Sequence, residues 1–165
     1  MDTGMNKSEE KPVLFLDVDG VALSFPNDPE VYKTHPKGVP SNGLWDFLNW
    51  AVIHMDCRWL TSWAPWGVMN EPTKDELIGI IGGDRDLLYH FDHHHPWGSD
   101  KTQAVDATEF LGGKLAFWLD DDYCKGEQRD LKRWGLERIF IHTDTSKDPD
   151  ALLKSWAKIR EAIGK

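Results

Sequence analysis

No apolar run in this chain approaches the roughly 20 residues that cross a bilayer, so the sequence offers no membrane span. Cysteine is scarce. Cys57 and Cys124 lie in or just after apolar runs, outside any C-x-x-C or other metal-type spacing, and are read as reduced thiols that suit a cytoplasmic protein. Positive charge is also short: 19 Lys and Arg against 28 Asp and Glu give a net charge of −9. That disfavours general binding of nucleic-acid backbone, which needs clustered basic residues. A nucleic-acid end as substrate stays open, because a bound metal can supply local positive charge. The sequence has no internal repeat and no low-complexity linker. Residues 1–11 are polar and lack the apolar core of a signal peptide, and a frayed tail is expected there. Residues 12–165 are expected to form a single domain, long enough to bury a core without disulfides.

Strand and helix signals alternate along that domain. Residues 13–16, 56–60, 115–119 and 138–141 are short apolar runs of the kind buried on both faces of a parallel sheet. Between them, helical spacing predicts a helix capped by Ser41, one from Thr73 to residue 81 with Glu76 at the capping-box position, and one from Asp100 or Ser99 to about residue 111. Further helices are expected over about 127–134 and from Asp148-Pro149 to about 163. Residues 24–40 carry four prolines and a glycine, which predicts a loop or short hairpin and no helix. Residues 87–91 read as a short strand, with His93-His94-His95 in a solvated loop after it. The alternation implies an α/β fold, a Rossmann-like three-layer sandwich with a mainly parallel central sheet.

Reactive residues collect where the apolar runs stop. Leu16 leads into Asp17 and Asp19, Leu60 into Thr61 and Ser62, and Leu119 into Asp120, Asp121 and Asp122. In an open parallel sheet these carboxyl ends share one edge, where ligands bind. Each cluster alone is ordinary turn chemistry; three together after three strands point to one site. Two like charges about 4 Å apart repel by about 4 kcal/mol at an effective dielectric near 20, so such acids need a cation or a proton. All-oxygen donors suit Mg²⁺, and no His or Cys within these clusters argues for zinc. Lys101, at a predicted helix start, is electrostatically misplaced for a cation and is read as reaching the sheet edge to meet phosphate. Lys114 is the other basic candidate. Nine tryptophans are many for this length; Trp63, Trp66 and Trp97 lie beside the motifs, where rim packing and base stacking both fit. Trp63 and His95 are the candidate substrate contacts.

Residues 13–21, VLFLDVDGV, resemble the first motif of the haloacid dehalogenase (HAD) superfamily of phosphohydrolases. Leu60-Thr61 resembles the second, Lys101 the third, and Phe117-Trp118-Leu119-Asp120-Asp121 the acidic fourth, in the family's order. The wording of residues 60–63 and 118–122 is further similar to a small HAD subfamily associated with Swiss Army Knife RNA-repair proteins. The resemblance implies a Mg²⁺-dependent phosphatase. Asp17 attacks phosphorus and forms an aspartyl-phosphate, its carboxyl near the ordinary value of about 3.9 and ionised without help from a base. Asp19 serves as acid and then base. Thr61, Ser62 and Lys101 hold phosphoryl oxygens. Asp17, Asp19 through its backbone carbonyl, Asp120 and Asp121 hold the metal. The acid at Asp19 favours phosphatase or phosphotransferase chemistry, because the dehalogenases and P-type pumps of the superfamily lack it.

The 41 residues between Asp19 and Thr61, and the 39 between Thr61 and Lys101, are too few for a folded cap and enough for lid loops. An open site implies a bulky phosphorylated substrate, such as a nucleic-acid end. The rival readings are a phosphotransferase or mutase, and a catalytically silent binding module on the same fold.

Overall fold

A computed structural model of the protein describes residues 10–95, 97 and 100–165. Residues 1–9 of the expected tail, and Ser99 as a helix start, lie outside the described residues. In chain order the elements are β1 (Val13–Leu16), β2 (Leu23–Ser24), α1 (Pro29–Thr34), β3 (Val39–Pro40), α2 (Leu44–His54), β4 (Asp56–Trp59), α3 (Glu71–Ile81), α4 (Ala107–Phe110), β5 (Ala116–Asp120), α5 (Lys125–Arg133), β6 (Phe140–His142) and α6 (Ala151–Ile163). Short 3₁₀ turns occupy Arg85–Phe91, Lys101–Ala104 and Glu137–Ile139.

Four strands form one sheet in the order β4-β1-β5-β6, every pair parallel. β1 is central, and all four of its residues are buried. Because side chains alternate across a strand, its residues divide between two cores. Leu14 and Leu16 join Trp59, Phe117 and Leu119 against Phe47 and Leu48 of α2, Leu77 of α3 and Leu152 and Ile159 of α6. Val13 and Phe15 join Ala116 and Trp118 against Phe110 of α4 and Leu131 of α5. Helices thus cover both faces, giving the Rossmann-like three-layer α/β sandwich. No helix among the described residues is long and apolar enough to cross a membrane.

Local chemistry departs from the sequence reading at several places. Residues 24–40 do form a hairpin, with β2 and β3 antiparallel. It also encloses α1, because Asp28 caps that helix through Glu30 N–H and Pro29 takes its first turn, where a missing N–H costs nothing. Ser41 does not cap α2: Gly43 occupies that position in the left-handed conformation, and the Ser41 hydroxyl is buried without a protein partner. Asn70, not Thr73, caps α3, accepting from the Thr73 N–H. Residues 87–91 lie in a 3₁₀ turn whose Leu87, Leu88 and Phe91 fill the first core; a short apolar run cannot by itself distinguish that outcome from a strand. The helix expected over 100–111 is broken into the Lys101–Ala104 turn and α4, capped separately by Asp100 and Asp106. The last helix begins at Ala151, so Pro149 precedes it. Both cysteines are free.

The caps make a prediction. Asn70→Ala should cost about 1 kcal/mol of stability, whereas Thr73→Ala should cost clearly less and Ser41→Ala close to nothing. Urea unfolding midpoints measure all three; equal losses at 70 and 73 would contradict this assignment.

Candidate active site

The register of the sheet builds the site. Leu16 lies beside Trp59 on one flank and Leu119 on the other. The ladder continues one step beyond: Leu60 N–H donates to the Leu16 carbonyl at 2.9 Å, Asp17 N–H to the Leu119 carbonyl at 3.1 Å, and Thr143 N–H to the Asp120 carbonyl at 2.9 Å. Thr61, Asp17, Asp120 and Thr143 therefore follow one another across a single edge. The chain leaves β1 for β4 on one side and later places β5 on the other, so Asp17 and Asp120 sit at the switch of strand order, where open α/β sheets hold ligands.

There Asp17, Asp120 and Asp121 bring carboxylate oxygens within 4.8 Å of one another. Asp17 is 6% exposed and Asp120 is 1% exposed. Lys101, at the start of its 3₁₀ turn, places its Nζ 2.6 Å from Asp120 Oδ2 and 3.4 Å from Asp17 Oδ1. Asp17 Oδ1 also accepts from the Val18 N–H at 2.9 Å, and Asp120 Oδ2 from the Trp118 indole at 3.2 Å. Trp118 and Asp120 are two apart on β5, hence on one face. Asp122 stays outside the cluster; its N–H donates to Asp120 Oδ1 at 3.1 Å.

Crowding of like charge shows in the proton affinities. Burial, and then the charge of Asp120, hold the Asp17 carboxyl well above the usual carboxylate range, with Lys101 opposing. Asp17 accordingly departs from the ordinary value expected of it. The same two causes push Asp121 up to about 6. Burial opposes the charge on Lys101, but Asp17 and Asp120 outweigh it and raise its pKa. Lys101 answers one negative charge in a cluster of three acids. All the donors are hard oxygens, and the remaining charge is what a divalent cation of the Mg²⁺ or Ca²⁺ type neutralises. The residues present thus fit a metal. A cation there would also draw Asp17 into its ionised form.

Gly20 completes this edge. It has φ +77°, and a Cβ on it would run into the Asp121 carboxylate, so only glycine serves both the turn and the approach. Its carbonyl is gripped from β6's exit by the N–H and hydroxyl of Thr145, at 2.9 and 3.0 Å.

The remaining candidates separate. Thr61 is fully buried at the end of β4, its hydroxyl accepting from the Trp63 N–H at 3.3 Å; Ser62 is exposed beside it. The Asp19 carboxylate is exposed and stands apart from the three clustered acids; it accepts from the Trp63 indole at 3.0 Å. Trp63 is therefore engaged with Asp19. His95 does not lie in a solvated loop: it is 7% exposed, edge-on to Phe15, and burial lowers its pKa. The N–H groups of His93 and His95 donate to the carbonyls of Gly67 and Trp66, which ties this segment to the loop after β4. Lys114 pairs with Glu10 and Glu109 and takes no part in the acidic cluster.

Two participants escaped the sequence reading. Glu127 is 8% exposed, and burial followed by the charge of Asp120 raises it to about 7. It forms a capping box with Cys124 at the start of α5; cysteine in the usual Ser or Thr position hides the signature. Asp144, which further raises Asp121, follows β6. Compared with family models, with curated proteins and with solved structures, the chain matches none.

Asp121 holds its proton to about pH 6 in the folded chain, against 3.8 ordinarily. The folded state therefore binds more protons across that window, and stability contributed by this group is lost as pH rises through it. In metal-free buffer, Asp121→Asn should raise the thermal midpoint at pH 7.5 and lose that advantage at pH 4. Equal effects at both pH values would contradict the crowding.

Proposed function

We propose that the protein is a phosphomonoesterase of the HAD type, with Asp17 as nucleophile. The observation that carries this reading is the meeting of Asp17, Asp120, Asp121 and Lys101 at one sheet edge. Carboxylates so close, with one lysine among them, suit a site that holds a divalent cation against a phosphate.

The resemblance of the four motifs to the HAD superfamily supplies the roles, and the meeting of Asp17, Asp120, Asp121 and Lys101 supports them. An Asp17 carboxylate oxygen attacks phosphorus in line with the ester oxygen, and the phosphorus–ester bond breaks. Asp19 supplies the proton that leaves with the alcohol. Water then attacks the aspartyl-phosphate, Asp19 takes a proton from it, and phosphate departs with Asp17 restored. Lys101 has three N–H donors; Asp120 and Asp17 occupy two directions, and the third is available to a phosphoryl oxygen. The Thr61 hydroxyl, which accepts from Trp63, keeps its own proton to donate, and Ser62 stands next to it. Asp17, Asp120, Asp121 and the Asp19 carbonyl would hold Mg²⁺, which when bound offsets the charge of the transferring phosphoryl group.

The described elements between Asp19 and Thr61 are the small β2–α1–β3 excursion, α2 and β4. Elements so few leave no folded cap in that insert, which supports a bulky phosphorylated substrate, including a phosphorylated nucleic-acid end.

Asp17→Asn should lower turnover by more than about a thousandfold while leaving the circular dichroism spectrum unchanged. The assay is release of inorganic phosphate, with Mg²⁺, from nucleotides, sugar phosphates, phosphopeptides and 3′- or 5′-phosphorylated oligonucleotides. Retained activity in the variant would refute the nucleophile. Phosphate passed to an acceptor in place of water would make the enzyme a phosphotransferase.

A further inference from the structure

We infer that Trp63 is the positioning residue for Asp19: its indole N–H holds one carboxylate oxygen so that the other is presented to the leaving group. This rests on the phosphatase reading above and names a residue which that reading does not use.

The backbone around Asp19 is well fixed. Gly20 N–H donates to the Leu23 carbonyl at 2.7 Å, Leu23 N–H to the Val18 carbonyl at 2.9 Å, and Asp19 itself bridges to Leu23. Its side chain is another matter. It is exposed, and an exposed aspartate left to itself samples several rotamers. The Trp63 indole, 3.0 Å from Asp19 Oδ1, selects one.

Trp63 is suited to hold rather than follow. Its ring packs against the larger core, and its backbone N–H donates to the Thr61 hydroxyl. Ala64 N–H closes the same turn onto the Thr61 carbonyl at 3.0 Å. The loop is pinned further on, where Trp66 and Gly67 accept from His95 and His93. The indole thus belongs to the end of β4, and through it that strand fixes a side chain at the end of β1.

The chemistry of the donor matters as well. An indole N–H donates and never accepts, and it carries no charge. It can neither take the proton that Asp19 must deliver nor hold the carboxylate permanently ionised, as an ammonium ion at the same place would. With Oδ1 occupied, Oδ2 is the oxygen that carries the proton in each direction. General acid–base catalysis requires hydrogen-bond reach in a productive orientation, which a freely rotating carboxylate meets only part of the time.

Protonation matters for a poor leaving group and little for a good one, which separates positioning from bulk structure. Trp63→Phe keeps the ring and removes the N–H. With Mg²⁺, it should lower kcat/KM, which reports the step in which the alcohol departs, by about tenfold or more for a simple alkyl phosphate and by a clearly smaller factor for p-nitrophenyl phosphate. Trp63→Phe added to Asp19→Asn should cost nothing further on the alkyl ester. At one fixed pH the Trp63 indole N–H resonance of the wild-type protein should lie downfield of its position in Asp19→Asn, because a carboxylate is the stronger acceptor, a readout that needs neither turnover nor a folded Trp63 variant. Equal losses on both esters, or an indole resonance indifferent to Asp19→Asn, would overturn the positioning role and leave the phosphatase reading standing. Failure of the wild-type protein to hydrolyse either ester, or any member of the panel above, would remove the phosphatase reading and this inference with it.

Discussion

Three carboxylates are forced together by backbone register, and most of what is distinctive about this protein follows from that constraint. Asp17 and Asp120 each occupy the first position past a buried apolar strand, and the parallel pairing of β1 with β5 sets those positions side by side. Neither acid can withdraw without breaking a central ladder of the sheet. Burial first, and then the charge of Asp120, make Asp17 and Asp121 bind their protons more tightly than a carboxyl in water, while Lys101 opposes this at Asp17. Folding energy from the two cores, rather than any attraction within the site, keeps the acids in place.

Around that centre the loops are tied to one another more than to their own strands. Thr145, after β6, grips the carbonyl of Gly20, after β1; Ser24 returns the contact by donating to the Thr145 carbonyl at 2.9 Å. Trp63, after β4, holds Asp19. A concavity of about 350 Å³ lined by Pro12, Ile53, Leu115 and Ile163 lies instead at the amino ends of the strands, away from the acids.

The strands were legible because burial on both faces writes them as unbroken apolar runs, and the strand-end rule then placed Asp17 and the 120–122 acids together before any coordinates. What stayed hidden depends on atoms rather than patterns. Asn70 and Thr73 are both good caps on paper, and only the N–H direction decides between them. A run such as residues 87–91 fills the same core whether it coils or extends. His95 follows two histidines and looks solvated, yet two backbone hydrogen bonds tie its segment to the loop after β4. Trp63 was visible as an aromatic beside the motif; that its indole reaches Asp19, 44 residues earlier, was not.

The central claim is that the clustered acids are held for a divalent cation. Titration of the metal-free protein with Mn²⁺, followed by the loss of the free-ion electron paramagnetic resonance signal, tests it most directly. The account predicts one saturable site per chain, competed by Mg²⁺, and weakened by asparagine at 17, 120 or 121 but not at 122. No saturable binding, or binding indifferent to those three substitutions, would contradict it.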